Sequence, residues 1–169
     1  MSKSGCLRVM DIVAGTSVDG PGLRTSVYLA GCAHHCPGCH NPTTWPFDAG
    51  RDMDIDEILC RIEKEGFNVT FSGGDPFYQA DRLLPLVKKL KAKGYDIWCY
   101  TGFTLDELRN KHDSDIDSLL STIDVLVDGP YVERLRDTGL CFRGSSNQNI
   151  HDLRKGEIVS QIYDRQNEL

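Results

Sequence analysis

Positive charge is in short supply: 19 Lys and Arg stand against 25 Asp and Glu, for a net charge of −6. Such a balance lacks the basic patch that nucleic-acid or anionic-membrane binding needs, so neither is expected as a partner. Long hydrophobic runs are missing as well. No segment approaches the ~20 apolar residues of a membrane span, and the N-terminal "MSKSGCLRVMDIV" holds no signal-peptide core of sufficient length. The expected location is the cytoplasm. Internal repeats, low-complexity tracts and a dividing linker are also absent. The 169 residues are therefore read as one domain, 1–169, long enough for a real core.

Cysteine is what the sequence does have. There are seven, an odd number, and in a reducing compartment they do not read as a disulfide framework. Cys6, Cys60, Cys99 and Cys141 are scattered and read as small core or surface residues. Cys32, Cys36 and Cys39 crowd into "GCAHHCPGCHNP" (31–42), together with His34, His35 and His40. Soft thiolates select zinc, copper(I) or iron–sulfur clusters. A structural zinc site wants four protein ligands, one of them here a histidine, and more often joins two separate hooks, of which the second is lacking. Cys36-Pro37-Gly38-Cys39 also spells a thioredoxin-like redox pair, which leaves Cys32 unexplained. The third reading is a [4Fe–4S] cluster on three thiolates, with one iron open to substrate. Spacing alone leaves all three standing.

Around this cluster, strand and helix patterns alternate. Segments 7–13, 24–31, 68–74, 95–102 and 124–129 read as strands. Segments 53–66, 79–94, 104–112 and 116–123 read as helices, with a capping box at Thr104 and Glu107 and with Pro85 expected to bend the second helix or mark its first turns. Alternation implies a parallel sheet with crossover helices. The chain is too short for an eight-unit barrel of ~250 residues, so an α/β fold with a partial, open βα barrel is expected. Ligands of such sheets sit at the carboxyl ends of the strands. "GCAHHCPGC", "SGGDP" (72–76), "YTGF" (100–103) and "DGPY" (128–131) all fall there.

The Cys-x3-Cys-x2-Cys spacing resembles that of the radical S-adenosylmethionine (SAM) enzymes. "VDGPGLRTSVYLAGCAHHCPGCHNPTTW" (18–45) resembles the glycyl-radical-enzyme activases among them. "SGGDP", "DIWCYTGFTLDEL" (96–108), "VLVDGPYV" (125–132) and "RGSSNQ" (143–148) resemble the branch that activates the anaerobic ribonucleoside-triphosphate reductase. The likeness covers about residues 8–154. It implies that Cys32, Cys36 and Cys39 ligate a [4Fe–4S] cluster whose open iron binds SAM. Reductive cleavage of SAM then yields a 5′-deoxyadenosyl radical, which takes hydrogen from a glycine of the reductase large subunit. A low-potential donor such as flavodoxin would supply the electron.

By the same likeness Gly73 and Gly74 approach SAM, Asp75 adds charge, Thr101 is a weaker contact, and Asp128 meets SAM, a cation or the partner. Ordinary turn and cap roles are the alternatives for Asp75 and Asp128. Asp19, in "VDGPG" (18–22), approaches the partner glycine's path, and "FRGSSNQ" closes the pocket or meets the partner. Radical SAM motifs often carry an aromatic residue just before the third cysteine. Gly38 stands there, so the adenine contact falls to His40 or to backbone. His34 and His35 are read as neighbours of the site rather than ligands. Two rival functions remain: an activase for another enzyme such as pyruvate formate-lyase, and a non-catalytic zinc-binding scaffold.

Overall fold

A computed structural model describes residues 5–165. Its frame is one mixed sheet of eight strands: β1 (Cys6–Thr16), β2 (Arg24–Leu29), β3 (Arg51–Asp54), β4 (Asn68–Gly73), β5 (Ile97–Tyr100), β6 (Val125–Asp128), β7 (Asn149–Asp152) and β8 (Glu157–Ile158), in the order β3-β1-β2-β4-β5-β6-β7-β8. The central four, β2, β4, β5 and β6, are parallel. Antiparallel strands extend both sides: β1 and β3 at one edge, β7 and β8 at the other. The helices are α1 (Ile55–Glu65), α2 (Ala80–Ala92), α3 (Leu105–Arg109), α4 (Ser114–Thr122) and α5 (Ser160–Asp164).

Period-two alternation gives the sheet two different faces. Val27 and Leu29 of β2, Val69 and Phe71 of β4, Ile97 and Cys99 of β5 and Leu126 of β6 pack in the main core, together with Ile58 and Ile62 of α1, Leu83, Leu86, Val87 and Leu90 of α2, and Leu119 of α4. The alternate residues Trp98, Val125, Val127 and Ile150 form a second, smaller cluster with Tyr100, Phe142 and Tyr163. On this face Arg24 is also buried. It donates to Thr70 Oγ1 (2.8 Å) and the Val69 carbonyl (2.7 Å) and pairs with Asp96 at 3.0 Å. A buried guanidinium needs such partners, because an unpaired one is costly to desolvate.

Local chemistry sets the helix ends. Asp54 accepts from Asp56 N and caps α1, and Gly66 ends it in a left-handed turn at φ 73°. The expected capping box of Thr104 and Glu107 opens α3. Pro85 does not mark the first turns of α2. It lies inside α2, on the exposed side of the helix. Of the seven cysteines none forms a disulfide. Among the described residues no helix is long and apolar enough to cross a membrane.

Candidate metal centre

Strand β2 delivers the chain to Gly31 and Cys32 at the carboxyl end of the parallel strands. Beyond them, Cys36-Pro37-Gly38-Cys39 folds as a tight turn, closed by Cys39 N donating to the Cys36 carbonyl at 3.1 Å. Pro37 presets the first central position, and Gly38 takes φ 75° at the second, as a type II turn requires. The chain then returns through a short 3-10 turn, Pro42–Thr44. Gly31 N donates to Thr44 O (2.8 Å) and Cys32 N to Trp45 O (3.0 Å), so the loop closes on its own base. Gly31 has no room for a side chain, since a Cβ would sit 2.5 Å from the Phe47 ring.

Cys32, Cys36 and Cys39 all line one cavity of about 210 Å3, together with His40, Gly73, Gly74 and Thr101. Seven of the ten residues read as cluster or SAM contacts thus meet there. Gly73 and Gly74 end β4 by pressing on the backbone of β2 and the cysteine loop. A Cβ on Gly73 would collide with the backbone of Leu29, and one on Gly74 would lie 2.5 Å from the Gly31 carbonyl oxygen. Gly74 N donates to Leu29 O at 2.7 Å. Gly38 lies within the loop turn, its Cα facing Glu133 instead of the cavity.

Two aspartates sit elsewhere than the motif positions implied. Asp75 follows the glycines, but its side chain is fully buried and outside the cavity lining. Oδ1 accepts from Phe77 N (3.0 Å) as a cap, while Oδ2 accepts from Thr101 Oγ1 (2.9 Å) and Gly102 N (3.0 Å) and contacts His34 Nε2 at 2.8 Å. Asp128 shares the helix-facing parity of Leu126. It accepts from Leu105 N (2.8 Å) at the start of α3 and from Asn149 N (3.2 Å) on β7. It therefore lines a different cavity, beside His151. His151 Nε2 stands 3.0 Å from Asp128 Oδ2. Burial pushes the Asp128 carboxyl up, but His151 and the two backbone donors outweigh it and hold it below its ordinary value.

The cavity has further walls that spacing did not single out. Tyr131 packs against His40 in a tilted arrangement with ring centroids 5.1 Å apart, and Gln148 and Gly144 also line the cavity. Gln148 Oε1 accepts from Gly144 N (2.8 Å) and Ser145 N (3.1 Å), and its Nε2 donates to Gly129 O (3.0 Å). "RGSSNQ" is thus a clamp joining this loop to the end of β6, with Arg143 paired to Asp164. Asp19 borders the cavity and accepts from Ser26 Oγ (2.8 Å) and Tyr28 O–H (2.5 Å). Burial and the Asp19 contact push the Tyr28 phenol up to about 12. A tyrosine beside "DGP" was the available signal for Tyr131. The role of Gln148 needed the fold.

The donor set fits a cluster better than a single ion. Three free thiols face one cavity, yet among the described residues no group of three or more His, Cys, Asp and Glu is arranged to hold one metal ion. Structural zinc demands four converging ligands. His34 and His40 line the same cavity, but His34 Nε2 is held by Asp75, and among the described residues neither is grouped with the thiols around one metal position. Burial, with Asp75 and the neighbouring thiols, pushes the Cys32 thiol up to about 11.

A family model described as a 4Fe-4S single cluster domain matches residues 18–151, which makes the chain an iron–sulfur protein of that class. The chain is 40% identical over 149 residues to the anaerobic ribonucleoside-triphosphate reductase-activating protein of Escherichia coli K12, covering 81% of this chain and 93% of that one. For the protein of that name in Vibrio cholerae the identity is 41% over 147 residues (79% and 90%). For that of enterobacteria phage T4 it is 33% over 141 (79% and 86%). The chain belongs to the family of anaerobic ribonucleoside-triphosphate reductase-activating proteins. In fold it is similar to the crystal structure of QueE from Escherichia coli, at a TM-score of 0.50 and 20% identity over 59% of this chain and 53% of that one.

Proposed function

We propose that Cys32, Cys36 and Cys39 hold the [4Fe–4S] cluster of a radical SAM activase, and that its substrate is a glycine of the anaerobic ribonucleoside-triphosphate reductase large subunit. The observation that carries this reading is the convergence of three free thiols, and no fourth cysteine, with the glycine-rich end of β4 in one cavity. When bound, a three-thiolate cluster leaves one iron open to SAM and supplies the electron that yields methionine and the hydrogen-abstracting 5′-deoxyadenosyl radical.

The chain's own residues bind and position. The three thiolates anchor the cluster. Gly73 and Gly74 keep the end of β4 bare of side chains, and the Gly74 carbonyl, which accepts no hydrogen bond among the described residues, faces the SAM ammonium. Thr101 builds the wall opposite the cysteine loop. His40 and Tyr131 present aromatic faces to the adenine. The Gln148 clamp narrows the far side, and the partner's glycine segment seals the mouth against water. Asp128, which lines the neighbouring cavity beside His151, is given no SAM contact in this reading.

The same reading takes the sheet as an open βα barrel within a single domain, with the chemistry in the cytoplasm, where seven thiols stay reduced. A low-potential donor such as flavodoxin delivers the electron. The high coverage of the reductase-activating relatives supports the reductase over pyruvate formate-lyase as partner.

Anaerobic reconstitution with iron and sulfide tests the assignment. Wild-type protein is expected to bind four irons per chain and, when reduced, to convert SAM to 5′-deoxyadenosine. Cys36→Ala is expected to lose both. A wild-type protein that holds one zinc and never cleaves SAM defeats the proposal.

A further inference from the structure

Asp75 does not reach the cavity, yet a single one of its oxygens gathers the ends of three strands. Asp75 itself follows β4. Its Oδ2 accepts from Thr101 Oγ1 (2.9 Å) and Gly102 N (3.0 Å), both just beyond β5. The third partner, His34 Nε2 at 2.8 Å, comes from the loop that leaves β2, midway between Cys32 and Cys36. A carboxylate oxygen only accepts, so His34 donates through Nε2. The loop's other backbone anchors, Gly31 N to Thr44 O, Cys32 N to Trp45 O and Asp75 N to Gly31 O, lie at its base. Ala33 and His35, on either side of His34, are exposed.

The surroundings of His34 are built to receive its ring. Gly102 leaves the space, since a Cβ there would sit 2.5 Å from His34 Cδ2. Phe103 meets the ring edge-on at 4.4 Å between centroids, and Tyr78 flanks it at 5.9 Å. Ring and hydrogen bond together fix the middle of the loop against the ends of β4 and β5.

We propose that the His34–Asp75 pair is a clasp that holds the cysteine loop ready for its cluster. His34 and Asp75 are then positioning residues, and Asp75 acts on the site through the loop and through Thr101 rather than by touching SAM. The proposal rests on the assignment of the three cysteines as ligands. Groups that orient ligands to a metal commonly change its retention 10–100-fold when removed.

Hydrogen exchange of the cluster-free chain and chelator-driven iron loss from the reconstituted protein test it together. His34→Ala is expected to speed exchange of amides 32–39, leave those of β4 and β5 unchanged, and release iron roughly tenfold faster or more. His34→Gln, which keeps a donor of similar reach, is expected to restore most of both. Gly102→Ala, which displaces the ring, is expected to reproduce the alanine defect. Wild-type exchange and iron loss in His34→Ala overturn the clasp, as does a His34→Gln protein as defective as His34→Ala. If the wild-type chain takes up no cluster, the ligand assignment fails instead, and the exchange comparison alone decides whether the clasp exists.

Discussion

Gly74 shows how tightly single residues set this site. Its missing side chain lets β4 end 2.5 Å, in Cβ terms, from the carbonyl of Gly31, one residue before the first cysteine. Gly74→Ala must push backbone against backbone, where no flexible neighbour can give way. The expected cost is about 1–3 kcal/mol of stability, with reduced iron content after reconstitution; chemical denaturation and iron analysis measure the two. Thiol spacing and the glycine pair were legible in the sequence, because both impose their chemistry wherever the chain goes. The directions of Asp75 and Asp128 were not. An aspartate after two glycines serves a ligand or a cap equally well. Only the sheet's parity gives Asp128 the side of Leu126, and only the turn after β4 buries Asp75 as a cap.

At the scale of elements, the parallel strands carry the fold. Phe71 of β4 is fully buried between the sheet and its helices. Phe71→Ala is expected to lower unfolding free energy by about 3–5 kcal/mol in urea titration, through lost burial and the cavity left behind. Asp128 joins β6, α3 and β7, and its native carboxyl is held below the unfolded value of ~3.9. Its contribution is present above that unfolded value and fades as pH falls through the lower native one. Stability of Asp128→Asn is therefore expected to fall less steeply than wild type below about pH 4, measured by denaturant unfolding across an acid series.

Strands such as Val69–Phe71 and Val125–Val127 were legible as apolar runs, and α1 and α3 as periodic segments with caps. The edge strands were not. Arg51–Asp54 buries only Met53, and Glu157–Ile158 buries neither residue. Such strands exist because a neighbour offers them hydrogen bonds, which local sequence does not encode.

At the scale of the whole molecule, the cavity lies at the carboxyl ends of the central strands and gathers β2, β4, β5 and the clamp after β6 into one site. A cluster that binds the folded chain alone stabilises it by mass action. Reconstituted wild-type protein is expected to melt higher than the cluster-free chain, and Cys36→Ala to show no such rise, by anaerobic thermal denaturation. The central claim is that this site creates a glycyl radical on the reductase. Its most direct test is electron paramagnetic resonance of the chain mixed anaerobically with reductase large subunit, SAM and a reductant. A glycyl-radical doublet with wild-type protein, absent with Cys36→Ala, is the predicted result. No doublet from a wild-type protein that carries its full cluster and cleaves SAM would contradict the account.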